Sequence, residues 1–266
     1  MIPTLYKKDW KAHWKLTAAL LALLTMYITV IVGMYDPVNN DILQRLASMK
    51  MSEQLLAAFG FTAPLPGLLG FLAGYLYGFL LLTLPLVLLV FLANRLVAAL
   101  VDRGSMAAIL ATPHSRRAVA GTQALFLISA AAVVVAFVTV LGLAVSEAKF
   151  PGMLDKATFL KLNGGLLVVL LCVSGIAFFA SCLFNESRWS LSLGAGLPVF
   201  FLLVQMLHNA NPRLGWLKYL TLFSLFRPND FVIGAPVWPQ MATLGLLGAA
   251  LYGAGILVFD RKDLPL

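Results

Sequence analysis

The residues best suited to chemistry in this sequence lie in one basic stretch, residues 94–123. It holds four of the nineteen lysines and arginines and a single acid, Asp102; the arginines are Arg95, Arg103, Arg116 and Arg117. A guanidinium group presents a planar fork of donors that matches carboxylate and phosphate oxygens. Long apolar segments flank the stretch on both sides. We therefore interpret residues 94–123, hereafter the elbow, as a basic connection between two membrane spans that docks a partner.

The elbow sequence predicts a short helix, a turn and the start of a second helix. Residues 105–111 are mostly small or apolar, and Thr112-Pro113 follows them. Because proline disfavours a helical conformation for the residue before it, the short helix is expected to end near Thr112. Ser115 is a suitable N-cap for the next helix, since its hydroxyl can accept a backbone N–H. The elbow is therefore predicted to be a helix-turn-helix.

Motifs for catalysis and for energy conversion are absent from the sequence. All eleven acidic residues fall outside the predicted membrane centres, where an ion-driven carrier usually places at least one. No G-x-x-x-x-G-K-[ST] phosphate loop, G-x-S-x-G motif or metal-ligand spacing occurs. Ser115 follows His114 but is better explained as a helix cap than as a nucleophile. We therefore expect no catalytic site, cofactor site or metal site in this chain.

Composition predicts an all-α, multi-pass membrane protein. Of the 266 residues, 61% are hydrophobic and 11% are charged, whereas a soluble domain is about 25% charged. Apolar runs of about 20 residues, long enough to cross a bilayer, recur along the chain. The net charge of +8 indicates basic residues retained on the cytoplasmic side rather than nucleic-acid binding, because aromatic and basic residues do not alternate on a soluble platform.

Six membrane spans are predicted within one domain that covers residues 1–266. Their bounds are about 16–33, 67–93, 118–145, 163–184, 189–208 and 240–259. The second span carries Gly70, Gly74 and Gly78, a small-residue stripe that favours close helix packing within the chain or across a subunit interface. The more polar connections 34–65, 146–162 and 209–239 are placed on the outer surface.

Residues 3–15 interleave aromatic and basic side chains and predict an interfacial helix. Trp10 and Trp14 form a stripe with Tyr6, and lysines that include Lys7 and Lys8 flank it. Aromatic rings favour the headgroup region and lysines favour anionic lipid, so this helix is expected to lie on the cytoplasmic membrane surface. An unstructured basic tail is the alternative.

The distribution of basic residues predicts the orientation of the chain. An even number of spans places both termini on one side, and eleven of the nineteen cations lie on that side in short segments beside span ends. Positive residues are retained in cytoplasmic loops. Both termini and the elbow are therefore predicted to be cytoplasmic.

The elbow resembles the signature of type-2 ATP-binding-cassette (ABC) transporter permeases. That family's loop after the second span reads approximately acid-x-Gly-Thr, a small or apolar helix, Thr-Pro, a small residue and Arg. The matching residues here are Asp102, Gly104-Ser105, Ile109-Leu110, Thr112-Pro113 and Ser115-Arg116-Arg117. Aspartate stands where glutamate is common, and Ser105 replaces threonine conservatively. Residues 217–234 and the ending FDRKDLPL are also similar to the family's outer segment and last helix.

The resemblance implies a six-span permease of the bacterial cytoplasmic (inner) membrane. Such a permease pairs with an identical or homologous permease, and two copies of a separate ATPase subunit bind ATP and Mg. A coupling helix, here about residues 103–117, would sit in a groove of the ATPase, and its arginines would pair with acidic groups there. The implied docking residues are Asp102, Arg103, Gly104, Ser105, Thr112, Pro113, Arg116 and Arg117.

Two functions are compatible with this sequence. The first is the permease of an ATP-driven exporter, with a hydrophobic or amphipathic cargo such as a drug, peptide or lipid-linked molecule. The resemblance implies a pathway between two permeases, lined by spans one, two and five. The second is a non-transporting accessory, immunity or assembly protein of the membrane, in which the elbow arginines anchor span ends in anionic headgroups.

Overall fold

The computed structural model describes residues 1–37, 53–60 and 65–263, and these residues form helices and connections without β-strands. In chain order the α-helices are α1 (Pro3–Met34), α2 (Glu53–Ala58), α3 (Gly67–Tyr75), α4 (Leu80–Leu96), α5 (Ala98–Asp102), α6 (Ser105–Leu110), α7 (Arg116–Lys149), α8 (Lys156–Leu183), α9 (Ser187–Ala210), α10 (Pro228–Val232) and α11 (Trp238–Arg261). Two 3₁₀ helices, Pro212–Leu220 and Leu222–Leu225, lie between α9 and α10.

Six helical segments are long and apolar enough to cross a membrane: α1, α4 with α5, α7, α8, α9 and α11. The prediction of an all-α fold with six helices long and apolar enough to span a membrane is confirmed. The fourth of them begins earlier than predicted because Asp155 caps α8. Its Oδ1 accepts the backbone N–H groups of Ala157 (3.0 Å) and Thr158 (3.3 Å). Hydrogen bonds from Thr158, led by its hydroxyl, hold the pKa of Asp155 below its usual value.

The predicted second span, about residues 67–93, does not form one continuous helix. The chain leaves the helical path over residues 76–79, and the membrane-length segment is Leu80–Asp102. Gly78 lies in this break and packs closely on another connection, since a Cβ there would lie 2.8 Å from the carbonyl oxygen of Gly60. Gly70 similarly lies against the backbone of Leu65. Gly78 and Gly70 therefore do permit the close approach of another backbone. That backbone belongs to the connecting residues Gly60 and Leu65, and not to another span. Gly74 is buried on α3.

The N-terminal segment and the first span form a single helix, α1, without the predicted boundary near residue 15. Its 32 residues extend over about 48 Å, more than the roughly 30 Å of a hydrocarbon core. Part of the aromatic stripe packs on protein, since the Trp10 ring lies 5.1 Å from that of Phe126 on α7. Trp14 stays 53% exposed, and the lysines Lys7 and Lys8 are exposed beside it.

Helix α8 is the centre of the bundle, and its contact with α11 is the most extensive between described helices. Glycines bring the two backbones together: a Cβ on Gly248 would lie 3.2 Å from the Cα of Cys172, and one on Gly175 would lie 3.2 Å from the Gly248 oxygen. The hydroxyls of Ser174 and Tyr252 form a 2.7 Å hydrogen bond beside this crossing. A polar pair within an apolar interface fixes the register of the two helices.

Replacing Gly248 with leucine should separate α8 from α11 and lower the free energy of unfolding by about 1–3 kcal/mol, the usual cost of overpacking. Gly253→Leu is the matched control, because that glycine lies on the same helix with open space around it. Thermal unfolding of both variants in detergent measures the effect. Equal melting temperatures for the two variants would contradict the close crossing.

Candidate docking site at the elbow end of the bundle

Both ends of the described chain lie at the same end of the bundle as the elbow. The backbone N–H of Ile2 donates to Thr122 Oγ1 at 2.9 Å, and Arg116 donates to the backbone oxygen of Lys262 at 2.8 Å. At the opposite end, Tyr35 after α1 packs its ring 5.1 Å from that of Phe150 after α7. The elbow, the two chain ends and the α8–α9 turn therefore form one surface, hereafter the elbow end.

The elbow folds as the helix-turn-helix that its sequence predicts. Gly104 has a φ of +69°, a left-handed conformation that turns the chain from α5 into α6. Helix α6 ends at Leu110, and Thr112 Oγ1 then donates to the Ile109 oxygen at 2.6 Å. Ser115 caps α7 by accepting the N–H of Ala118 at 3.2 Å.

One face of α6 is anchored and the other is free. Met106 is fully buried beneath the helix. Ala108, two positions after Met106 and so on the other side of the helix, is exposed, and the exposed residues around it include Arg103, Ser105, Thr112 and Pro113. A short helix held by a buried side chain, with small exposed residues above it, leaves room for another protein to approach its backbone. This surface contains four of the predicted docking residues and, with Gly104 at its edge, a fifth.

Asp102 has a role inside the chain. Its Oδ2 accepts the backbone N–H of Ser187 at 3.3 Å, at the first turn of α9. A carboxylate at a helix N-terminus is stabilised by the free N–H groups there. Asn94 on α4 donates to the Ser187 hydroxyl at 2.7 Å. These two contacts join the elbow to the α8–α9 turn, and sequence reasoning did not identify Asn94 or Ser187.

Arg116 and Arg117 also bind their own chain, at the end of α11. Besides the Arg116 contact with the Lys262 oxygen, Arg117 forms a 2.7 Å ion pair with Asp260. Arg103, in contrast, has no carboxylate within 4 Å in the part of the chain that the structure describes. Three arginines are predicted to meet a partner. Arg103 is the one of them that is exposed and forms no ion pair with another described residue.

Lys262 completes the attachment of the C-terminal segment. Its Nζ donates to the backbone oxygen of Cys182 at 3.1 Å, in the last turn of α8. A cation there interacts favourably with the helix C-terminus. Burial nevertheless lowers the pKa of Lys262 to about 8. The run of charged residues Asp260-Arg261-Lys262-Asp263 is the sequence signal that could have indicated these contacts with the basic elbow.

Exchanging the partners of the exposed ion pair tests the attachment of the elbow to α11. The Arg117→Asp change alone should lower stability by about 1 kcal/mol or less, because both side chains are partly solvated. The double change Arg117→Asp with Asp260→Arg should recover most of the loss. Thermal unfolding in low salt provides the measurement, and a double variant no more stable than either single one would argue against the pair.

The Lys262 amine should make stability depend on pH in a defined direction. Its folded pKa of about 8 lies below the ordinary 10.5, so the unfolded chain binds more protons between these values. The cost of burying the charge is full below about pH 8 and is lost as the pH approaches 10.5. Wild type should therefore gain stability relative to Lys262→Met between pH 7 and 10. Arg261→Met is the control, because it removes a neighbouring cation that does not titrate in this range. The stability difference between wild type and this variant should not change between pH 7 and 10.

Within residues 1–37, 53–60 and 65–263, no three His, Cys, Asp or Glu side chains are close enough together to hold a metal ion. No protein-family model, curated protein or solved structure matches this chain. The function must therefore be argued from the geometry of the elbow end and from the resemblance of its sequence.

Proposed function

We propose that this chain is the transmembrane permease subunit of an ATP-driven exporter of the ABC type. Separate ATPase subunits bind ATP and Mg, and the chain acts with a second, identical or homologous, permease. The observation that carries the proposal is a short helix, α6, held outside the six-helix bundle with a free outer face. The elbow's sequence resemblance supplies the partner class.

The contacts of the elbow suit it to transmit movement. Force applied to α6 reaches α4 and α9 through Asn94, Asp102 and Ser187, and reaches α11 through Arg116 and Arg117. Conformational change passes between subunits through rigid, packed contacts of this kind. Under this proposal, Arg116 and Arg117 serve transmission inside the chain, whereas Arg103 contacts the ATPase.

The exposure of the membrane helices narrows the proposed pathway. In the most hydrophobic stretches of α1 and α9, only 22% and 28% of residues are buried, against 72% for α4. Helices α1 and α9 correspond to the first and fifth predicted spans, and their free apolar faces suit contact with a second permease and with a hydrophobic or amphipathic cargo. Helix α4, which carries the second span, is largely covered by its own chain. Helix α11 is as exposed as α9, at 28% buried, but the resemblance implies a pathway along the first, second and fifth spans, and we therefore assign it to α1 and α9.

A bulky residue on the outer face of α6 should block the ATPase. Ala108→Trp places an indole on that face without touching the buried Met106. Ala148→Trp is the matched control, an exposed helical alanine in the last turn of α7 at the opposite end. We expect the control and wild type to co-purify with an ATPase from native membranes and Ala108→Trp to lose it. ATP hydrolysis in the purified complex is the second readout.

The same experiment identifies the alternative function. If wild-type protein co-purifies with no ATPase, the transport proposal fails and a non-transporting accessory, immunity or assembly role takes its place. If an ATPase binds all three forms equally, α6 is not the docking helix.

A further inference from the structure

We propose that a cationic cavity between α1 and the elbow binds the phosphate group of an anionic phospholipid. The cavity has a volume of about 430 Å³ and lies between the first turns of α1 and residues 95–109. Lys8, Arg95 and Arg103 contribute its cations, and Asp9 contributes its one carboxylate. This inference requires membrane insertion but not the proposed ATPase.

The charges around the cavity favour an anion. Lys8, Arg95 and Arg103 are exposed, and none has a carboxylate within 4 Å among the described residues. Asp9 is only 7% exposed and lies beside Gln123, so its carboxylate is largely covered by protein. Three accessible cations thus face one shielded acid. Arginine and lysine at the end of a membrane helix are the groups that bind lipid phosphates in such pockets.

The surface beside the cavity favours a lipid over a soluble phosphate. Val87, Phe91 and Arg95 follow one another at intervals of four residues on α4 and therefore share a face. Val87 is 44% exposed and Phe91 is 47% exposed. Each four-residue interval corresponds to about 6 Å along the helix axis. Phe91 and then Val87 therefore lie deeper in the membrane than the Arg95 guanidinium. An acyl chain can lie along this pair while its phosphate contacts Arg95.

The cavity is separate from the proposed ATPase surface. Ile109 is the residue of α6 that lines it, and this side chain is partly buried. The docking face proposed above centres on Ala108, which is exposed and does not line the cavity. Only Arg103 borders both surfaces, so the test below leaves it unchanged.

Native mass spectrometry of the purified full-length protein tests the site. The detergent-solubilised protein is titrated with phosphatidylglycerol or with phosphatidylcholine of the same acyl chains. Wild type should bind phosphatidylglycerol more tightly. Lys8→Gln with Arg95→Gln should weaken that binding about 25-fold, at roughly fivefold per cation, and should leave phosphatidylcholine binding unchanged. The matched control, Lys11→Gln with Lys15→Gln, removes two exposed cations of α1 that do not line the cavity.

Three results would overturn the proposal. One is unchanged phosphatidylglycerol affinity in the Lys8 and Arg95 variant. Another is an equal loss in the control variant, which would indicate general surface charge. The third is displacement of the lipid by millimolar inorganic phosphate, which would identify a site for free phosphate. The single changes Lys8→Gln and Arg95→Gln, each expected to weaken phosphatidylglycerol binding roughly fivefold, test the site even if the double variant does not fold, and unchanged affinity in both would likewise overturn the proposal.

Discussion

The close approach of helix backbones around α8 is the constraint on which the rest of the structure depends. Lipid tails are as apolar as the helix surfaces, so helices associate in a membrane through packing and hydrogen bonds rather than through hydrophobic burial. Helix α8 meets each of three neighbours at a glycine: Gly142 of α7 faces Phe159, Gly194 of α9 faces Ala177, and Gly248 of α11 faces Cys172. The absence of a side chain at these points brings the α9 and α11 backbones against α8, and it leaves room on α7 for the Phe159 ring of α8. The elbow is held in place because its attachment points are the ends of these same helices.

Local sequence properties were sufficient to predict the six membrane-length helices. Length and hydropathy are properties of each segment alone, and the elbow's caps at Gly104, Thr112 and Ser115 act within a few residues. The break in the second span could not be predicted in this way. At the break Gly78 packs against Gly60, and this contact between separate segments is not a property of the local sequence. A four-residue glycine spacing indicates that close packing is possible, but it does not identify which backbone fills the space.

In the candidate site, too, the features set by neighbouring residues were predicted, and the contacts between distant segments were not. The sequence predicted the position and helical form of α6, and it predicted that the elbow arginines would form ion pairs. It assigned those pairs to a partner, whereas Arg117 binds Asp260, a residue 143 positions later in the chain. Only the folded bundle brings these two residues together. The predicted orientation in the membrane and the ATPase partner stay predictions.

The elbow arginines differ in whether they contact their own chain, and this difference decides which substitutions can test partner binding. Reversing Arg116 and Arg117, the obvious choice from sequence, would break contacts to Lys262 and Asp260 inside the chain. Loss of a partner in that variant would follow from a displaced elbow as well as from a lost intermolecular pair. Arg103 has no such contact among the described residues, and Ala108 carries no charge. A surface is best tested where the side chain has no other role, and for this elbow that condition is met on the outer face of α6 and not at the start of α7.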